Sequence, residues 1–170
     1  MNKEQNLMSE LRIISRPKRI SFDGVPLEHA HQCDIAIMEH QASNEVNHVN
    51  NIEFIKWIDK ASEIHLDTTG WTRQRMLESD CMWFVARHEI DYRSEAFLDD
   101  ELVLSTWVED VRRVKSWRHT TIHAVRDETT LICECRTLWV LVSLETKKPM
   151  PVPPSMAIAL KPLTLPRLTK

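Results

Sequence analysis

The sequence predicts an α+β domain in which a five-stranded antiparallel sheet wraps around one long helix. Three observations lead there. Residues 50–66 carry a single broad helical stripe of apolar side chains. One strand pattern precedes that stripe, between His31 and His40. After Cys81, four strand patterns follow one another with only short polar breaks between them.

The helix comes first because its period is the least ambiguous. At about 100° per residue, Phe54, Trp57, Ile58, Ala61 and Ile64 fall on one line, and Ile52, Ile55 and Leu66 widen it on one flank. Glu53, Lys56, Lys60, Glu63 and Asp67 gather on the other side. An apolar arc that wide belongs to a mostly buried amphipathic helix. Asn50 or Asn51 suits its N-cap, and Gly70 can take the positive φ that ends a helix.

The strand before it alternates, with Cys33, Ile35 and Ile37 on one side, and a polar loop, Gln41–Asn47, delivers the chain to the helix. Trp71–Asp80 predicts a short second helix capped by Thr72. The later strands are Met82–Arg93, Glu101–Val108, Lys115–Val125 and Leu131–Leu144. Their breaks are hairpin-sized, which predicts an antiparallel meander. Only two glycines occur in the chain, so most turns are expected to exceed two residues. Prolines at 149, 151, 153 and 154 end the last strand, and Ser155–Leu160 suits one further helical turn. The domain reading is an N-terminal extension over 1–28, the sheet-and-helix domain over 29–155, and a tail over 156–170.

Composition narrows the function. With 22 Lys+Arg against 25 Asp+Glu the net charge is −3, which gives no pull toward nucleic acid or an anionic membrane. Met1–Arg19 lacks an apolar leader core, and the apolar run Leu138–Val142 is far too short to span a bilayer. The expected location is cytoplasmic. Cys33, Cys81, Cys133 and Cys135 form no CxxC pair and read as reduced, buried cysteines. His29 and His31 form a tight pair that no neighbouring ligand completes, so no metal and no cofactor are expected.

Three motifs resemble the hotdog-fold 4-hydroxybenzoyl-CoA thioesterase-like enzymes, a group that extends to acyl-CoA and acyl-ACP thioesterases. Asn47-His48-Val49-Asn50-Asn51-Ile52-Glu53-Phe54-Ile55-Lys56-Trp57 is similar to the family's Gly-His-Val-Asn-Asn-x-x-Tyr-x-x-Trp signature. Val111–Trp117 resembles its basic strand with Ser-Phe, and Val142–Pro153 its closing strand and Thr-Gly-Lys-Pro turn. The resemblance implies a hotdog fold, hydrolysis of an acyl-CoA or acyl-ACP in fatty-acid metabolism, and a homodimer or homotetramer whose site lies between subunits. The chain departs from the pattern at three places. Asn44 stands where the family has its acid, Asn47 where it has glycine, and Phe54 where it has tyrosine.

Thioester hydrolysis needs an oxyanion stabiliser and a base or nucleophile. The resemblance assigns the first to the Asn51 backbone N–H at the helix N-terminus, where free amides and the helix dipole converge. Asn50 and Phe54 are expected beside the substrate. An amide is no base, so Asn44 is left to position water or the thioester. Glu45, one residue along, His48 and Asp59, two turns into the helix, are the candidates for the base, with Glu63 better suited to pairing with Lys60. The cluster Arg112, Arg113, Lys115 and Arg118 is the candidate anchor for CoA phosphates, with Arg113 and Lys115 the better placed, and Ser116 is expected beside the substrate. Strand alternation puts Arg113 with Lys115 and Arg112 with Arg118, so the four cations do not share one ligand. The competing reading of that cluster is a solvated hairpin tip. A non-catalytic acyl-thioester binding module, motivated by Asn44, is the alternative function. A hydratase would need an Asp/His pair that is not evident.

Overall fold

The computed structural model describes residues 12–43, 45–126 and 128–164. Its elements are β1 (Arg12–Ser15), β2 (His31–Ala36), a 3-10 turn (Glu39–Gln41), α1 (Asn51–Thr68), α2 (Arg73–Glu78), β3 (Cys81–Tyr92), β4 (Leu102–Arg112), β5 (Lys115–Ala124), β6 (Thr130–Ser143) and α3 (Pro154–Ala159). The strands form one antiparallel sheet in the order β1-β2-β4-β5-β6-β3. The sheet packs on α1, as the hotdog resemblance implies.

Six strands stand where five were expected. The additional one, β1, lies in the expected N-terminal extension and pairs with β2 from Arg12↔Ala36 to Ser15↔Cys33. It buries Ile13 in the core while Ile14 faces out, and it covers the β2 edge, which would otherwise present unpaired amides. Four residues are too short a run to announce a strand by alternation.

The meander is also corrected. Only β4, β5 and β6 follow one another; β3 crosses to the far edge and pairs with β6. Two strands separate β3 from β4, roughly 14 Å at the usual spacing. The connection Arg93–Glu101 can reach roughly 30 Å, so it runs across the end of the sheet instead of turning back. On the way it meets the loop before α1: the Val49 N–H donates to the Ala96 carbonyl at 2.9 Å, and His48 bridges Phe97. This crossing steadies the helix entrance.

The β4–β5 connection differs from the expected longer loop. It is a two-residue turn, Arg113-Val114, with Arg113 at φ 20°. The turn is held from outside, where the Val152 N–H donates to the Arg113 carbonyl at 2.7 Å. That contact supplies support that a glycine would make unnecessary. Arg112 faces Lys115 across the ladder, so these two share a face and Arg113 sits in the turn. The Arg113 and Lys115 pairing expected from simple alternation does not hold.

Two clusters make the core. Phe54, Trp57, Ile58 and Ala61 of α1 meet Cys33, Ile35, Leu102, Leu104, Ile122 and Cys133 of the sheet. The second cluster joins Trp71, Met76, Val108, Leu141 and Met156. Met156 lies on α3, so the proline-rich tail is tied into the fold. All four cysteines are free and buried, and burial pushes the Cys33 and Cys133 thiols up to about 12.

The flanks of α1 depart from the sequence reading. Ile52 is 58% exposed and Ile55 is also exposed, so the expected widening of the buried stripe stops short of them. Glu53, expected on the charged side, is 7% exposed. It is satisfied there: Gln41 Nε2 donates to Glu53 Oε2 at 3.0 Å and Lys56 Nζ to Oε1 at 2.6 Å. Gln41 also takes the Met38 N–H on its side chain and the Asn50 N–H on its carbonyl. These bonds tie the incoming loop to the first turn of the helix, which is why a carboxylate is tolerated at that depth.

Candidate active site

Two neighbouring regions carry the candidate chemistry. The first is the entrance of α1. Asn50 is the N-cap, its side chain accepting from the Ile52 N–H at 3.1 Å. The Asn51 N–H, one residue into the helix, has no acceptor among the described residues. That is the ordinary condition of a first-turn amide, and it leaves a donor available to an incoming oxygen. The Tyr92 hydroxyl donates to the Asn51 carbonyl at 3.2 Å, tying the first turn of the helix to β3. Asn47 takes φ 54°, the left-handed conformation asparagine tolerates in place of glycine. His48 Nδ1 lies 3.1 Å from Glu95 Oε1, a pair that braces the entrance loop against the crossover. Glu45 is exposed in the same loop. Asn44 lies outside the described residues. Phe54 is buried edge-on against Trp57 and Tyr92, underneath this entrance.

The second region is a cleft of about 430 Å³ beside the C-terminal half of α1. Asp59, Glu63, Met76, Trp83, Ser116 and Arg118 are among the residues that line it. The volume lies in the range of about 300–1,000 Å³ usual for small-molecule sites. Asp59 opens onto the cleft, yet the surrounding walls and the neighbouring Glu63 raise its pKa above the usual aspartate value. Partial desolvation by the cleft walls is the larger cause, although the side chain remains exposed at the cleft mouth. A carboxylate so placed holds its proton more tightly than one in water, the property a general base needs.

Of the residues expected at the site, Asp59 and Ser116 line the cleft. Asn50, Asn51, His48 and Glu45 gather at the helix entrance. Arg113 and Lys115 stand exposed at the β4–β5 tip and do not line the cleft. Ser116 Oγ donates to the Asp110 carbonyl at 2.9 Å. Asp59 and Asn51 lie on the same helix, eight residues and so about 12 Å apart along its axis. One chain therefore does not bring both to one thioester carbon. Sequence reasoning missed the cleft residue Trp83 and placed Arg118 only in the cation cluster weighed for CoA phosphates. Ser116 was the signal for the second, because a residue two along a strand shares its face.

The comparisons with known proteins bear on the family and the fold. Residues 29–160 match the Thioesterase-like superfamily. The chain belongs to that family. None of the curated proteins matches the sequence. Among solved structures, a protein assigned as an oleoyl thioesterase from Lactobacillus plantarum superposes with TM-score 0.74 at 16% identity, covering 83% of this chain. This chain spans 54% of that protein's length. A 1,4-dihydroxy-2-naphthoyl-CoA thioesterase from Synechocystis superposes with TM-score 0.70 at 16% identity, covering 78% of this chain and 96% of the other. A 4-hydroxybenzoyl-CoA thioesterase from Pseudomonas sp. strain CBS-3 does so with TM-score 0.71 at 15% identity, covering 77% and 99%. At such identities the likeness establishes the hotdog fold, and the substrate of each remains its own.

Among the described residues, no group of three or more His, Cys, Asp or Glu side chains is arranged to hold a metal ion. Among the described residues, no helix is long and apolar enough to cross a membrane. His31 and His29 are used structurally: His31 stacks on His65, and His29 Nδ1 bonds the Lys161 carbonyl at 2.9 Å.

Proposed function

We propose that this protein hydrolyses an acyl thioester of CoA or acyl carrier protein, with Asp59 as the general base. The observation that carries the reading is the position of Asp59, a carboxylate of raised pKa opening onto a cleft of mixed apolar and charged lining in a thioesterase-family chain. Asp59 takes a proton from water as the water oxygen bonds to the thioester carbon. The Asn51 N–H meets the oxyanion that forms. The C–S bond then breaks, releasing the thiol and the carboxylic acid.

Because Asp59 and Asn51 are about 12 Å apart on one helix, the reading includes a second copy of the chain. Two α1 helices running antiparallel across a two-fold axis would set Asn51 of one opposite Asp59 of the other. Support comes from the exposed Ile52 and Ile55 on α1 and from Phe84 and Val85 on β3, the edge strand. Glu45 and His48 are the local alternatives at the entrance. Arg113 and Lys115 stand outside the cleft, where CoA phosphates would reach them. Asn44, in place of the family acid, motivates the second reading, a non-catalytic module that binds acyl thioesters.

The test is a thiol-release assay over acyl-CoAs from acetyl to palmitoyl, with benzoyl and hydroxybenzoyl. Turnover of any one by wild type, lost in Asp59→Asn, supports the enzyme. Wild type that binds acyl-CoA, releases no thiol, and gains hydrolysis on Asn44→Asp would establish the binding module instead.

A further inference from the structure

One side chain in the cleft has a position that hydrolysis does not explain. Arg118 is 5% exposed and projects from β5 on the same face as Ser116, toward α1. Its Nη1 is fully used, donating to His65 Nδ1 at 2.9 Å and to Thr106 Oγ1 at 3.2 Å. Its Nε and Nη2 have no acceptor among the described residues. Neither atom is among the sealed, unpartnered polar atoms of the described residues, so both still reach open space, and the open space Arg118 lines is the cleft. No carboxylate lies within ion-pair distance of Arg118 among the described residues.

A guanidinium kept at depth without a counter-charge costs folding energy. Holding His65 and Thr106 needs only one of its nitrogens. The other edge, Nε with Nη2, is the fork that matches the two oxygens of a carboxylate. We infer that Arg118 receives a carboxylate at the far end of the acyl group, so that the preferred substrate is a monothioester of a dicarboxylic acid. The inference rests on the thioesterase reading for its substrate class, and on the cleft alone for its ligand.

The acids of α1 fit this arrangement. Asp59, Glu63 and Asp67 line the same cleft but are exposed, whereas Arg118 is buried. Glu63 is held by Lys60 at 2.9 Å. Arg73 also lines the cleft, on its exposed side with these acids, so the cation an incoming carboxylate meets at depth is Arg118. That orients an acyl chain with its charged end inward and its thioester outward, on the side of Asp59.

The test separates binding from turnover. Two non-hydrolysable thioethers, S-(4-carboxybutyl)-CoA and S-pentyl-CoA, differ only in the terminal group, and calorimetry gives the ratio of their affinities. Wild type is expected to favour the carboxylate by about 30-fold or more, and Arg118→Gln to reduce that ratio to about threefold or less. Equal binding in wild type, preference for S-pentyl-CoA, or a ratio unchanged in Arg118→Gln would overturn the proposal. Where Arg118→Gln does not fold, Arg118→Lys replaces the fork by a point charge. A ratio lowered at least about fivefold then supports the carboxylate seat, and an undiminished one overturns it. Hydrolysis of glutaryl-CoA is followed separately. Selective binding without hydrolysis refutes the enzyme and leaves the carboxylate seat standing. Hydrolysis of pentanoyl-CoA with no preference for the carboxylate does the reverse.

Discussion

Arg118 Nη1 donates to His65 Nδ1 across 2.9 Å, joining β5 to the last turn of α1. The bond requires a lone pair on Nδ1, so the imidazole is neutral and carries its hydrogen on Nε2. Burial, Arg118, His31, Arg19 and Lys161 all disfavour a second proton, holding the His65 pKa down at about 2. Unfolded histidine titrates near 6.5. The unfolded chain therefore binds more protons between those values. The stability from neutral His65 is complete above about pH 6.5 and drains away as pH falls toward 2, at up to roughly 1.4 kcal/mol per pH unit. Thermal melts of wild type from pH 8 to pH 5 should show a falling Tm. His65→Gln, which keeps an acceptor for Arg118 without a titrating group, should flatten that slope. An equal slope in both proteins would remove His65 as its source.

Asp59 has the opposite sign. Its folded pKa is raised, first by burial and then by Glu63, and the base must be ionised to act. Activity should fall as pH drops through a midpoint above the usual aspartate value of about 3.9. Asp59→Asn should lose about 10²–10⁴ in kcat. Its Tm should hold or rise, because the charge removed is one the fold disfavours. A full kcat in Asp59→Asn would move the base to Glu45 or His48.

At the β4–β5 tip, Arg113→Ala with Lys115→Ala should raise KM for acyl-CoA about tenfold and spare kcat, the signature of lost uniform binding. The effect should shrink with added salt, as exposed charges are screened. An unchanged KM would make the tip a solvated hairpin and nothing more.

Assembly gives the last prediction. Light scattering at micromolar concentration should return at least twice the 20.0 kDa chain mass. Val85, 39% exposed on the β3 edge strand and not among the cleft's lining residues, gives the probe: Val85→Lys should shift the protein toward monomer and lower activity together. An active monomer would exclude a site completed by a second copy.

The sequence by itself determined the helix, a cap at Asn50 or Asn51, the strand before it and the four after it. Each of these is local, because the helical stripe of Phe54, Trp57, Ile58 and Ala61 and the alternation along each strand need only neighbouring residues to be read. The Thr72 cap of α2 was legible for the same reason. Tertiary structure decided which strands pair. Residues 93–101 look like a hairpin until the free energy of the whole sheet sends β3 to the far edge, and β1 becomes a strand only because β2 offers it an edge. It also decided burial. Glu53 and Arg118 sit on segments where local pattern predicts solvent, and each is held inside by partners distant in sequence, Gln41 for one and His65 with Thr106 for the other. A charge is kept in the interior by what closes around it, and that closure exists only when the chain is folded.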